Sequence, residues 1–157
     1  YLLEALKIVL RTNVDIYLVF VGSRISEIDL SVLNDKERQH VVIKSFAKNL
    51  DPFYRNACAL IDIDADLDQD VFLSSKIINY LGVNRIILSE TGSNSPATDL
   101  FSGTKSIIQC SHDPEKIATA MLLAVREAEV VDCADRDVLL NQFSVASVID
   151  EMQKLLD

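Results

Sequence analysis

A lysine follows two serines where an apolar helical pattern begins, as Ser74, Ser75 and Lys76, and the pattern runs to Gly82. The start of a helix presents free backbone N–H groups, and hydroxyls and an ammonium beside them favour an anion such as phosphate. Asn79 falls three positions after Lys76 and four after Ser75, so the three share one helix face. The pattern fits a phosphate site or a serine-capped helix with a solvated lysine.

An acidic stretch precedes these residues, with five aspartates between Asp62 and Asp70. A calcium loop of the EF-hand type needs glycine at its sixth position and glutamate at its twelfth. Counted from Asp62, those positions hold Leu67 and Leu73, which excludes that motif. A solvated acidic loop and an aspartate pair that holds a divalent cation for a diphosphate both remain open.

Further polar residues follow other apolar runs. Thr91, Gly92 and Ser93 open a hydroxyl-rich loop, which either forms a simple turn or binds an anion or sugar hydroxyls through its backbone amides. Arg24 follows an earlier apolar run and can add positive charge to the same edge of the fold. Neither histidine falls in an order typical of a catalytic triad.

Composition limits the classes of function. The 157 residues amount to about one domain, and the net charge of −9 argues against nucleic acid as a partner. The apolar runs are far shorter than the ~20 residues of a membrane span. Three cysteines without a C-x-x-C pair are typical of a reducing compartment and of a protein without a zinc site. We therefore expect an acidic cytoplasmic domain without a metal site.

Short apolar runs alternate with helical patterns along the whole chain, which predicts an α/β fold with a Rossmann-like parallel sheet flanked by helices. In such sheets, ligands bind beyond the carboxyl ends of the strands. We predict strands at 15–22, 40–44, 59–64, 85–89 and 106–110. We predict helices at 2–10, 26–38, from 49, 74–82, from 97, 113–126 and 137–156.

Three segments together resemble a known family. Residues 72–76 (FLSSK), 79–82 (NYLG) and 85–88 (RIIL) resemble a pattern in the C-terminal, donor-binding half of GT-B glycosyltransferases. The likeness is to the retaining family-4 group and its bacterial polysaccharide members. The chain departs from the pattern at Ile86, where the family usually carries proline.

The resemblance implies a donor site for a nucleoside diphosphate sugar, with no other cofactor. Lys76 matches the family's lysine beside the diphosphate, and Asn79 falls where the family has an acidic residue on the ribose. Asp70 is nearest to the acidic residue beside the transferred sugar, one position out of register. Lys76 and Asp70 are thus the expected catalytic residues. The expected donor-binding residues are Arg24, Ser74, Ser75, Lys76, Asn79, Thr91, Gly92 and Ser93.

The resemblance also implies how this domain relates to a longer protein. Residues 1–157 would be one Rossmann-like domain that lacks its first strand, the central strand in the order 3-2-1-4-5-6. The terminal helix, 137–156, would cross to an N-terminal domain that binds a glycan or lipid-linked sugar as acceptor, with peripheral association at the inner face of the membrane. This piece alone would be inactive. Two alternatives are a non-catalytic protein-association module and a metal-using transferase built on the acidic stretch.

Overall fold

The computed structural model describes residues 1–68, 70–129 and 132–155, and over these ranges the predicted α/β class is confirmed. The strands are β1 (Leu18–Val21), β2 (Val41–Lys44), β3 (Ala59–Ile63), β4 (Ile86–Glu90) and β5 (Ile107–Cys110). The helices are α1 (Leu2–Leu10), α2 (Asp35–Arg38), α3 (Asp51–Asn56), α4 (Ser75–Leu81), α5 (Pro96–Leu100), α6 (Pro114–Glu127), α7 (Asp137–Gln142) and α8 (Val145–Lys154). Short 3-10 helices span Ile25–Glu27 and Cys133–Arg136.

The described strands form two parallel sheets, where the sequence predicted one. Strand β1 pairs with β2, and β4 lies between β3 and β5. The division separates the first two strands from the last three. The helices pack against the strands in a Rossmann-like arrangement, and the carboxyl ends of β3, β4 and β5 share one edge.

The larger core cluster lies between the sheets and the helix pair α1 and α6. Ala5, Leu6 and Val9 recur at helical spacing on α1 and are buried against α6. Helix α6 buries several alanines, which allow its backbone to approach α1 and the sheet closely. Leu18 of β1 and Leu88 of β4 belong to the same cluster, so both sheets pack against this helix layer.

A second core cluster covers the opposite face of the three-stranded sheet. Ile87 of β4 packs there with Ile77 and Leu81 of α4 and with residues of α5 and α7. Because side chains alternate along a strand, Ile87 and its neighbour Leu88 enter different clusters. All five residues of β4 are buried, which fits its central position. The polar residues at its carboxyl end, Ser89 and Glu90, are therefore also buried.

Several predicted boundaries are wrong for local reasons. The segment at 26–38 contains a 3-10 turn and the four-residue α2, whose cap Asn34 accepts hydrogen bonds from Lys36 and Glu37. The predicted terminal helix is divided at Phe143, and Ser144 caps α8 by accepting a hydrogen bond from the Ser147 amide at 3.2 Å. Its last predicted residue, 156, lies outside the described residues.

Helix α8 and the residue that caps its C-terminus carry apolar side chains that remain exposed: Val145, Val148, Ile149, Met152 and Leu155. They recur at helical spacing, so the helix is amphipathic with its apolar stripe largely open. Among the described helices, none has both the length and the apolar character needed to cross a membrane.

Candidate functional site

The predicted serine and lysine residues meet a buried aspartate at the carboxyl end of β3. Asp62 is almost fully buried, and its Oδ1 accepts a hydrogen bond from Ser74 Oγ at 2.7 Å. The same oxygen lies 3.5 Å from Lys76 Nζ. Asp62 thus fixes the beginning of α4 against the sheet. The sequence placed Asp62 in the acidic stretch and did not predict this contact.

The ammonium of Lys76 remains accessible despite that contact. The Lys76 side chain is 58% exposed, whereas that of Asp62 is 3% exposed. Asp62 therefore contacts the ammonium of Lys76 on its buried side, and the solvent-exposed side of the ammonium is open to a ligand. We refer to Asp62, Ser74 and Lys76 as the lysine site.

The serines do not cap α4 as predicted. Ser74 occupies the cap position but makes no capping hydrogen bond, because its hydroxyl donates to Asp62. Ser75 and Asn79 are exposed, and Asn79 Nδ2 donates to the Ser75 carbonyl at 3.4 Å. Helix α4 has only seven residues, so its dipole adds little to an anion site. The cationic side chain is the feature that matters.

The loops after β3 and β4 pack directly on each other. A Cβ atom on Gly92 would lie 2.8 Å from the Ala65 carbonyl oxygen, closer than ordinary van der Waals contact allows. Ser95 Oγ donates to Asp64, and Asn94 Nδ2 donates to the Asp68 carbonyl at 3.0 Å. The hydroxyl-rich loop and the acidic stretch therefore form one unit beside the lysine site.

The hydroxyl-rich loop has fewer groups free to bind a ligand than the sequence predicted. The Thr91 amide donates to the Cys110 carbonyl at 2.8 Å, so it is engaged within the sheet edge and not directed to a ligand. Thr91 and Gly92 are buried, while Ser93 is exposed. Of these three, Ser93 has the most accessible position for a ligand.

Asp70 and Arg24 were also predicted as site residues, but no described contact places either of them at the lysine site. Asp70 Oδ1 accepts a hydrogen bond from the Phe72 amide at 2.9 Å and closes a local turn before α4. Arg24 follows β1 in the other sheet, is largely exposed, and lies 3.9 Å from Glu27. The contacts of Asp70 and Arg24 are local ones.

The described aspartates of the acidic stretch do not form a metal site. Among residues 1–68, 70–129 and 132–155, no group of three or more histidine, cysteine or acidic side chains is placed to hold a metal ion. Asp64 and Asp62 instead accept hydrogen bonds from Ser95 and Ser74. This arrangement gives no support to the metal-using alternative.

Sequence reasoning missed two buried charged groups. Glu90 ends β4, and its Oε1 lies 2.6 Å from His112 Nδ1, although the two residues are 22 positions apart. Arg136 is fully buried and donates to the carbonyls of Tyr80 and Arg85. The only signal for the first pair is that each residue stands at or just after the end of a predicted strand.

The environment of Glu90 also affects a cysteine. Burial raises the pKa of the Cys110 thiol to about 11, and the negative charge of Glu90 adds to the increase. At pH 8 we expect iodoacetamide to modify the exposed Cys58 much faster than Cys110, and denaturant to remove the difference. Mass spectrometry of timed samples measures both rates. Equal rates in the folded protein would contradict this burial.

The same pKa gives a direction for stability. The ordinary thiol value is 9.0, so between pH 9 and about 11 folded Cys110 keeps a proton that the unfolded chain loses. The free energy of unfolding should therefore fall as the pH rises through this window. In urea titrations, the difference in stability between the natural protein and Cys110→Ala should be constant below pH 9 and should shift against the natural protein between pH 9 and about 11.

Comparison with known proteins does not assign the chain to a family. No protein-family model matches the sequence. No curated protein matches it either. The chemistry of the lysine site and the resemblance of residues 72–88 are thus the basis for a functional proposal.

Proposed function

We propose that this chain is the nucleotide-sugar-binding domain of a GT-B glycosyltransferase of the retaining family-4 type. The observation that carries the proposal is the exposed ammonium of Lys76, anchored by buried Asp62 at the carboxyl end of β3. Carboxyl ends of parallel strands are where α/β folds bind ligands. The substrate would be a nucleoside diphosphate sugar, and the product a hexosyl group on a glycan or a lipid-linked sugar.

The chemistry requires a cation at the leaving group. When the sugar departs, negative charge grows on the diphosphate, and a preorganised ammonium stabilises that charge. Lys76 can provide it because its side chain is 58% exposed, so the ammonium can contact a phosphate while it stays beside the buried Asp62. The hydrogen bond from Ser74 helps to hold the Asp62 carboxylate in place.

The neighbouring residues supply hydrogen bonds and no further charge. Asn79 and Ser75 lie exposed on α4, where a neutral amide and a hydroxyl can bind ribose or phosphate oxygens. Ser93 stands exposed on the loop after β4. An N-terminal domain would hold the acceptor, so the isolated chain would bind donor without transferring sugar. The whole enzyme would act in polysaccharide assembly on the cytoplasmic side of the membrane.

The experiment is calorimetric titration of the chain with UDP, GDP and TDP, each in buffer that contains EDTA. We expect one nucleotide to bind with a stoichiometry of one, and pyrophosphate to compete with it. Binding that needs added Mg²⁺ would restore the metal-using alternative. Failure of all three nucleotides to bind a folded chain would overturn the proposal.

The exposed stripe of α8 favours the second candidate, a protein-association module. Its four exposed apolar side chains and that of its C-cap Leu155 are 45–86% exposed, which is unusual for one helix of a small domain. This function predicts self-association or partner binding that is lost on Ile149→Glu and Met152→Glu. Sedimentation velocity measures this association, which should not depend on whether nucleotide is present.

A further inference from the structure

Strand β5 has one open edge. It pairs with β4 on one side, and among the described strands none pairs with it on the other. The Thr91 amide donates to the Cys110 carbonyl, so Cys110 and every second residue before it face β4. Because backbone groups alternate between the two edges of a parallel strand, those of Ile107, Gln109 and Ser111 point outward.

Some of these outward groups are paired within the chain and others are not. The Ile107 amide donates to the Thr104 carbonyl at 3.2 Å, and the Ser111 carbonyl accepts from the Asp113 amide at 2.7 Å. Within residues 1–68, 70–129 and 132–155, the Ile107 carbonyl, both backbone groups of Gln109 and the Ser111 amide have no hydrogen-bond partner. Strand β5 also has no charged residue or proline, which natural edge strands often use to prevent pairing.

The unpaired groups are complementary to the same edge of a second copy. In an antiparallel pair centred on Gln109, each Gln109 exchanges two hydrogen bonds with its counterpart. In the same pair, each Ser111 amide donates to the Ile107 carbonyl of the other copy. This pairing does not need the Ile107 amide or the Ser111 carbonyl, which are the two groups already engaged. The open edge is therefore complementary to itself about a two-fold axis.

An apolar groove accompanies this edge. A cavity of about 370 Å³ lies between β5 and α6, and its lining includes Ile108, Cys110, Ala120 and Leu123. Ile108 and Cys110 face the core cluster that contains α6, and both are only half-buried. In the antiparallel pair, Ile108 stands opposite Cys110 of the second copy. A second copy would therefore cover apolar surface as well as pair backbone groups, and both effects favour association.

We propose that two copies of this chain associate through their β5 edges, so that two three-stranded sheets become one sheet of six strands. The interface is separate from the stripe on α8 and does not depend on nucleotide binding. Each chain carries a net charge of −9, so two copies repel each other, and association should strengthen as salt screens this repulsion. A four-residue strand buries little area, so the dimer is weak and reversible.

Sedimentation equilibrium over a range of chain concentrations, at low and at moderate salt, tests this interface. We expect the average mass to rise from that of one chain toward that of two. Thr119 is exposed and lines the groove, so Thr119→Lys places a charge in the interface and should raise the Kd of the dimer at least about tenfold. Thr12→Lys is the matched control, because Thr12 is also exposed and each threonine hydroxyl donates to a helical carbonyl.

A second variant removes hydrogen bonds and adds no charge. Ser111→Pro deletes an amide that has no partner within the described part of a single chain. Two hydrogen bonds of the dimer are lost, so its Kd should again rise about tenfold. Hydrogen exchange of the natural chain needs no substitution. The amides of Gln109 and Ser111 should exchange more slowly at high concentration than at low, while the amide of exposed Phe46 keeps its rate.

Three results would overturn this assignment. The first is the mass of a single chain at every concentration up to about 1 mM. The second is a dimer that Ile149→Glu abolishes and that Thr119→Lys and Ser111→Pro leave unchanged, because this would place the association on α8. The third is an equal loss of association in Thr12→Lys and Thr119→Lys, because this would show that added charge acts wherever it is placed.

Discussion

Lys76→Ala is expected to weaken binding of the nucleoside diphosphate about 10- to 100-fold. Removal of a charged group that hydrogen-bonds a ligand costs about 1.5–3 kcal/mol, which corresponds to this range. The loss should shrink as salt increases, because an exposed charge is screened. Calorimetric titration at two salt concentrations measures both effects. The free energy of unfolding should also fall, because the buried Asp62 loses its cationic neighbour, so affinity is compared where both proteins are folded.

Two further variants control this result. Lys116 stands in the first turn of α6 and is exposed, so Lys116→Ala removes a comparable lysine that the proposal does not use. Its nucleotide affinity should match that of the natural chain. Asp62→Asn keeps an acceptor for Ser74 but removes the carboxylate that anchors the ammonium of Lys76, so affinity should fall, though by less than in Lys76→Ala. An effect of Lys116→Ala as large as that of Lys76→Ala would show that only overall charge matters.

Arg136→Ala is expected to destabilise the fold by about 3 kcal/mol or more. The guanidinium is fully buried, and its Nη1 and Nη2 donate to the carbonyls of Tyr80 at 3.2 Å and Arg85 at 2.6 Å. Truncation leaves both carbonyls unpaired and opens a cavity between α4 and the start of β4. Urea unfolding followed by circular dichroism measures the change. Binding of the diphosphate at the lysine site should also become weaker, because the destabilised helix α4 carries Lys76.

A graded series distinguishes hydrogen bonding from packing at this position. Arg136→Met retains much of the side-chain volume, so its destabilisation should fall between that of the natural chain and that of the alanine variant. Arg126 is 73% exposed, and Arg126→Ala should change stability by less than ~0.5 kcal/mol. Equal, small effects of all three substitutions would contradict the structural role of Arg136.

Local patterns predicted the elements better than their assembly. Asp113 and Pro114 correctly marked the beginning of α6, because the side chain of Asp113 accepts a hydrogen bond from the Lys116 amide. The alternation of strands and helices gave the α/β class. Local patterns could not predict the division into two sheets, because it depends on which strands lie next to each other and form hydrogen bonds. An apolar run has the same local pattern in either arrangement.

The lysine site was predicted only in part, because some of its contacts also depend on how the strands assemble. Ser74 and Lys76 were identified because hydroxyls and an ammonium beside a helix start have direct chemical meaning. Their partner Asp62 falls within the predicted strand 59–64, as observed, but its contact with the start of α4 was not predicted. Glu90 and His112 meet only because β4 and β5 are paired with Glu90 opposite Cys110. Contacts that depend on strand register have no signal in a single sequence.

Titration of the ¹⁵N-labelled chain with the diphosphate that binds is the most direct test of the ligand position. An amide spectrum reports each residue separately, so it locates the ligand without a substitution. We predict that the largest shifts fall on Ser74, Ser75, Lys76 and Ser93, at the carboxyl edge of the three-stranded sheet. Shifts confined to the cavity of about 340 Å³ lined by Asn13, Lys36 and His40, or no shifts at all, would contradict a diphosphate site at Lys76.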